Sequence, residues 1–306
     1  MRKSVFYFSF VLIVVSSVAA LGQVAALPKV ENVKFESKLV GAALPYNVVL
    51  PPAYSDPAER NTRYPVLYLL HGLFGSGNDW VSNRAHLAQY AAMYHLIIVT
   101  PEGHDGWYTD SATVPAERYE SYIIQELIPD VDSRYRTISS RDARAIAGLS
   151  MGGYGAMKFG LKFPDKFVFA ASMSGALQAP ELDQIPQVPA FILTSVKRAF
   201  GPVDSPVRAN NDIYKLVGSL LDDRKKQLPY LYLDCGTEDD LVQSNRNFSG
   251  MLISAKIPHE FRELPGTHSW PYWDQQVQEV LRIATRIFNR TQSTPATTVS
   301  MGKQTP

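Results

Sequence analysis

Between Arg144 and Lys162 the chain passes from a run of small apolar residues into a helix within a few positions. That reversal restricts its fold more than any other feature. Ala145-Ile146-Ala147 is short and apolar, as a strand buried on both faces is. Gly148-Leu149-Ser150-Met151-Gly152 follows, and helix-compatible residues run on from Gly153 to Lys162. The pattern is Gly-x-Ser-x-Gly between a strand and a helix, the setting of a nucleophile elbow. A turn this tight strains the serine backbone, and side chains at Gly148 and Gly152 would collide across it. It holds the Ser150 hydroxyl clear of the sheet edge. It also aims the first N–H groups of the helix at whatever that hydroxyl attacks.

The rest of the chain repeats the apolar run. Val66-Leu67-Tyr68-Leu69-Leu70 is continuous, and 96–100, 143–147, 168–172 and 230–234 read the same way, with 260–264 expected as the final strand. A hairpin-like start is expected at 33–40 and 46–50. Helical patterns fall between the strands, at 85–94, at 118–127 stopped by Pro129, at 151–163 stopped by Pro164, at 241–255 and at 275–289. Strands alternating with helices give an α/β fold, a mostly parallel sheet with helices on both faces. Segment 179–216, with Pro180, Pro186, Pro189, Pro202 and Pro206, breaks the alternation. It reads as an excursion over the strand ends, either walling a substrate pocket or serving only as a surface connection.

The chain has 306 residues, 45% hydrophobic and 19% charged, with net charge +1. The near-zero charge lacks the basic footprint of a nucleic-acid binder. Cys235 is the only cysteine, so the fold rests on its core and not on intrachain disulfides. Arg2 and Lys3 precede an apolar stretch over 5–15, and small residues follow it. This is the layout of a secretory signal peptide over 1–26, with cleavage after Ala20, Gly22 or Ala26. An uncleaved anchor is the alternative, but the apolar stretch falls short of the roughly 20 residues that span a bilayer. The expectation is a secreted or periplasmic protein with no stable membrane insertion after cleavage. Residues 27–290 are expected to form one domain and 291–306 a disordered polar tail.

A serine nucleophile needs a base. In a fold of this type the carboxylate and then the histidine follow the serine along the chain. Only His259 and His268 lie after Ser150. His268 sits in a turn after the last strand, where a loop can reach the elbow, whereas His259 precedes that strand and belongs at the opposite edge. The carboxylate is expected past the 230–234 strand, where Glu238, Asp239 and Asp240 compete. Asp239 is favoured by its loop position, and Asp240 is better placed to cap the helix beginning near Leu241. Cys235 has no base beside it. The backbone N–H groups of Met151 and Leu73 are the expected oxyanion donors, the second from His71-Gly72-Leu73-Phe74, with Phe74 next in line. His71 is expected to brace that loop. Phe74, Trp107, Tyr108 and Trp270 lie in loops near strand C-terminal ends, where ligands bind open α/β sheets, and are the expected substrate contacts; core packing is the alternative. No His-Glu-x-x-His, paired-cysteine or dinucleotide motif is present, so no metal or cofactor is expected.

These motifs, in this order, resemble the esterase D family of α/β-hydrolases, which includes S-formylglutathione hydrolases, tributyrin-type esterases, feruloyl esterases and mycolyltransferases. The resemblance runs from about Val33 to Phe288. It rests on Tyr64-Pro65-Val66-Leu67-Tyr68-Leu69-Leu70-His71-Gly72, on Trp107-Tyr108-Thr109-Asp110-Ser111, on Gly148-Leu149-Ser150-Met151-Gly152-Gly153-Tyr154-Gly155-Ala156 and on Gly236-Thr237-Glu238-Asp239. It implies an α/β-hydrolase fold, a triad of Ser150, Asp239 and His268, and oxyanion donors at Leu73 and Met151. It also implies a serine carboxylesterase acting on short acyl or aryl esters, free or linked to polysaccharide. The alternatives are an acyltransferase to a carbohydrate acceptor and an S-formylglutathione hydrolase-type thioesterase. The export signal argues against the latter, because S-formylglutathione hydrolases are cytosolic. A non-catalytic binding module on the same scaffold is a further alternative, opposed by the full set of three triad residues.

Overall fold

The computed structural model describes residues 28–293, so the leader expected over 1–26 lies outside the described residues. Eight strands form one sheet: β1 (Lys29–Val33), β2 (Tyr46–Leu50), β3 (Val66–Leu70), β4 (Ile97–Pro101), β5 (Arg144–Leu149), β6 (Phe169–Met173), β7 (Tyr230–Gly236) and β8 (His259–Leu264). Their spatial order is β1-β2-β4-β3-β5-β6-β7-β8. β1 pairs antiparallel with β2 and β2 antiparallel with β4, and every later pairing is parallel.

The continuous apolar runs follow from a sheet covered twice. Side chains alternate between faces, so Val66, Tyr68, Leu70 and Ile146 enter one core with Met151, Tyr154 and Met157 of the following helix. Leu67, Leu69, Ala145, Ala147 and Leu149 enter the other, with Val277, Val280 and Leu281 of the final helix. Each central strand buries both faces, and no polar alternation survives in it. Leu70 pairs with Gly148, Leu149 with Met173, and Gly236 with Leu264, so the C-terminal strand ends share one edge.

Four expectations need correction. The extended segment expected over 33–40 is displaced. β1 ends at Val33, and Glu36–Ser37 pairs with Ala42–Ala43 around a turn closed at Gly41, whose φ is +68°. Pro129 does not stop its helix. A π-helical turn over Tyr122–Leu127 passes directly into an α-helix over Ile128–Arg134, and Pro129 sits at that junction, where the hydrogen-bond register changes. The last helix runs from Trp270 to Ser293, longer than 275–289, because Pro271 suits a first turn. It therefore also takes in the first residues assigned to the 291–306 tail.

The excursion between β6 and β7 carries short helices, including Ala190–Phe200 and Pro206–Asn211. It is tied down by Arg208, buried and paired to both oxygens of Asp183 at 2.7 and 2.9 Å.

One buried carboxyl is set against the fold. Asp234, near the end of β7, accepts a hydrogen bond from Tyr272 Oη at 3.0 Å, while its Oδ2 has no partner among the described residues. Desolvation pushes it up to about 7, against the lowering effect of the tyrosine hydroxyls. A folded-state value above the unfolded one means its contribution is complete at low pH and is lost as pH rises toward 7. Asp234→Asn is therefore expected to gain on the parent as pH rises. Its melting temperature relative to the parent should increase by several degrees between pH 5 and pH 8 in paired thermal melts.

Candidate active site

Ser150 joins β5 to the helix Met151–Lys162 and has φ +52° and ψ −116°, outside the usual range of a serine. The flanking glycines permit this. A Cβ on Gly148 would lie 2.5 Å from the Gly152 carbonyl carbon and oxygen, and one on Gly152 would lie 2.6 Å from Leu70 O and 2.7 Å from His71 O. The strained residue is pinned on both sides: its N–H donates to Met173 O, and its carbonyl accepts from Ala176 N–H, both at 3.0 Å. Gly152→Ala drives a methyl into backbone that cannot move aside. A loss of about 1–3 kcal/mol is expected, read from the urea midpoint.

His268 Nε2 lies 3.0 Å from Ser150 Oγ, and its Nδ1 lies 2.9 Å from Asp239 Oδ2. A carboxylate only accepts, so Nδ1 carries the proton and Nε2 is left as the acceptor for the serine hydroxyl. The two loops that deliver these residues are zipped together. Thr237 N–H donates to Leu264 O at 2.8 Å, Glu238 N–H to Gly266 O at 3.0 Å, and Gly266 N–H to Glu238 Oε2 at 2.5 Å. The approach is close enough that a Cβ on Gly236 would fall 2.1 Å from Gly266 O. The His268 and Trp273 rings pack perpendicular to each other, with centroids 4.9 Å apart and planes at 89°.

Asp239 is buried and its second oxygen accepts the Leu241 N–H at 2.8 Å. Burial works to raise its carboxyl, but the hydrogen bond and charge of His268 and the Leu241 N–H outweigh it, and the net direction is down. The Leu241 bond closes a turn just before the helix Val242–Ser254, which neither Asp239 nor Asp240 caps, and Asp240 and Glu238 are exposed. His259 is remote from this group and contacts Ser249 Oγ at 2.8 Å. Cys235 is buried and burial pushes its thiol up, which makes it a poor nucleophile.

Met151 opens its helix, so its N–H has no carbonyl one turn back and is available at the elbow. Gly72 packs beside Ser150, its missing Cβ lying 3.4 Å from Ser150 Cβ. The orientation of the Gly72–Leu73 peptide is set from behind. Its carbonyl lies 2.8 Å from His71 Nδ1 and accepts the Gly75 N–H at 3.1 Å. In a trans peptide the N–H points opposite to the carbonyl, so these bonds also fix the direction of the Leu73 N–H. Gly103 N–H donates to Glu102 Oε1 at 3.0 Å, and His71 Nε2 lies 3.2 Å from that oxygen and 2.9 Å from Gly103 N. Burial would raise the Glu102 carboxyl, but His71 and the His104 N–H hold it down at about 2.

The four aromatic residues expected to contact substrate divide. Phe74 is 57% exposed and faces Phe191 of the excursion, itself 61% exposed, with ring centroids 5.5 Å apart. Trp270 is half-buried and stacks edge-on with Trp80 and Trp273. Trp107 and Tyr108 are not exposed to a ligand. Both are fully buried, Trp107 donating to Ser195 Oγ at 2.9 Å and Tyr108 to His71 O at 3.0 Å. Glu102 and Lys158 carry no expected role in the sequence, whereas Trp273 belongs to the aromatics expected near the strand ends. Of the first two, only Lys158, a charge between Met157 and Phe159 in the nucleophile helix, gave a visible signal. Among the described residues no cluster of His, Cys, Asp or Glu is arranged to hold a metal ion, and no helix is long and apolar enough to cross a membrane.

The eight-stranded sheet, the elbow on β5 and the loops after β7 and β8 define an α/β-hydrolase, an enzyme of the carboxylic ester hydrolase class. The chain belongs to the family described as putative esterase, which matches residues 37–283. It is 32% identical over 214 residues to an acetyl esterase of Caldicellulosiruptor saccharolyticus, a match spanning 69% of this chain and 79% of that protein. Among solved structures it superposes on a ferulic acid esterase with a TM-score of 0.73 and 30% identity, covering 86% of this chain and 99% of that one. It also superposes on a substrate-bound fluorophosphonate-binding serine hydrolase of Staphylococcus aureus with a TM-score of 0.75 and 28% identity, covering 85% and 99%.

Proposed function

We propose that the chain is an exported serine carboxylesterase that hydrolyses short acyl or aryl esters. The observation that carries this is the unbroken line from Asp239 Oδ2 through both nitrogens of His268 to Ser150 Oγ, at 2.9 and 3.0 Å. His268 Nε2 takes the Ser150 proton as Oγ attacks the ester carbonyl. The N–H groups of Leu73 and Met151 receive the developing oxyanion. The imidazolium, stabilised by Asp239, then protonates the departing alcohol, leaving an acyl-Ser150 ester. Water, deprotonated by His268, attacks that ester, and the acid leaves as Ser150 recovers its proton.

Three features favour this reading over others on the same scaffold. His268 is about a third exposed (35%), so water has access to the acyl-enzyme. Phe74 and Phe191 offer an apolar rim for an acyl or aryl group. Arg2 and Lys3 before an apolar stretch support export, and with it an extracellular ester, free or linked to polysaccharide, over a glutathione thioester.

The test is a graded p-nitrophenyl ester series with methyl ferulate, alongside labelling by a fluorophosphonate probe. Turnover of the acetate or butyrate ester and stoichiometric labelling are expected. An unlabelled protein that turns over none of these esters overturns the reading. Acyl-sugar as the main product when a carbohydrate acceptor is added would replace hydrolysis with acyl transfer.

A further inference from the structure

Trp107 and Tyr108 both hold left-handed backbone, with φ +52° and +50°. Bulky residues keep such dihedrals only where their surroundings impose them. Here the surroundings are explicit. Lys158, wholly buried in the nucleophile helix, donates from Nζ to Tyr108 O at 2.5 Å and to Thr109 Oγ1 at 2.8 Å, and pairs with Glu120 at 2.9 Å. Thr109 Oγ1 in turn donates to Trp107 O at 3.0 Å. On the far side the Trp107 indole donates to Ser195 in the excursion helix. Burial lowers the Lys158 ammonium to about 8, and Glu120 is the main group opposing that fall.

The clamped segment delivers the Tyr108 side chain to one place. Its ring fills a slot formed by two glycines. A Cβ on Gly103 would fall 2.4 Å from the ring, and one on Gly155, in the nucleophile helix, 2.8 Å from it. Its hydroxyl donates to His71 O, the carbonyl that also lies 2.7 Å from where a Gly152 Cβ would be. Tyr108 therefore touches both sides of the elbow at once. It packs on the helix that begins with the Met151 N–H, and it bonds the loop that carries the Leu73 N–H.

We propose that Tyr108, locked in place by Lys158, is a positioning residue that sets the spacing between the two oxyanion donors. It rests on the reading of the site as an esterase. Without the Tyr108 hydroxyl, the His71 carbonyl loses its donor and the loop is free to shift against the helix. The two donors act on charge that develops only in the transition state, so the effect falls on the chemical step.

Tyr108→Phe tests this, because it removes one oxygen and leaves the ring in its slot. The expected result is about a tenfold fall in kcat per fluorophosphonate-titrated site, with KM for p-nitrophenyl butyrate within twofold of the parent. Inhibition by a trifluoromethyl ketone, whose adduct carries the oxyanion, should weaken by the same factor as kcat/KM. Lys158→Met should act in the same direction, and if it fails to fold the phenylalanine variant still decides. A purely structural role would lower the melting temperature or the titrated fraction and leave kcat per site unchanged. That outcome, in a parent that hydrolyses esters, overturns this proposal alone. A parent that hydrolyses none removes the esterase reading and this proposal together.

Discussion

Ser150→Ala is expected to lower p-nitrophenyl butyrate hydrolysis by at least ~10³-fold, and by up to ~10⁶-fold where the background can be resolved. The size follows from what disappears. Acyl transfer through a covalent intermediate needs the Oγ, and the buried Cys235 thiol, pushed up by burial, is a poor substitute. The residual rate measures the oxyanion donors and substrate binding alone. The fold should survive the change. The strain at position 150 is imposed by the Met173 and Ala176 backbone bonds, which do not involve the side chain, and alanine adds no volume. A far-ultraviolet spectrum and melting temperature close to the parent, with no fluorophosphonate labelling, is the full expected result. A variant as active as the parent would remove Ser150 from the reaction.

Asp239→Asn is expected to cost about 10³–10⁴-fold in kcat with little change in KM. The reason is a proton in the wrong place. Asp239 accepts twice, from the Leu241 N–H on Oδ1 and from His268 Nδ1 on Oδ2. Asparagine has one acceptor oxygen and one NH2. If its oxygen stays on the Leu241 N–H, the NH2 faces Nδ1, which must then be unprotonated. The ring proton moves to Nε2, and the serine has no base. The same contacts hold the Asp239 carboxyl below its ordinary value of 3.8, so in the parent it stays ionised through the neutral and mildly acidic range. Its contribution to stability is present above the unfolded value and lost as pH falls through the lower folded one. Loss of activity on acidification to pH 5 therefore does not originate at Asp239. Rate profiles of parent and variant between pH 5 and 9 check both statements. A variant within tenfold of the parent would show that the carboxylate is dispensable.

Much of this architecture was legible in the chain. The apolar runs at Val66–Leu70 and within Arg144–Leu149 read as strands covered on both faces, because they are too short for a buried helix and a half-solvated strand would alternate. The glycines around Ser150 mark a turn no bulkier residue could make, and the steric reason holds whatever packs outside it. Pro129 misled because proline reads as a stop wherever the helix geometry is regular, and a π-helical turn just before it is set by packing. Trp107 and Tyr108 misled for a different reason. Aromatic residues next to strand ends look the same in sequence whether they face a cleft or the interior, and here two left-handed dihedrals and a buried lysine turn them inward.

The sequence by itself determined the strand–turn–helix at Ser150, the twice-covered sheet and the short set of histidines and carboxylates able to complete a site. These depend on local sterics and on the period of the apolar pattern, which act between neighbours in the chain. Only the tertiary structure decided that Asp239, and not Glu238 or Asp240, faces His268, and that Tyr108 braces a loop instead of binding a ligand. Those choices depend on how closely Gly236 approaches Gly266 and how deeply Lys158 is buried. Both are distances between segments far apart in the chain, fixed only when the two cores close around the sheet.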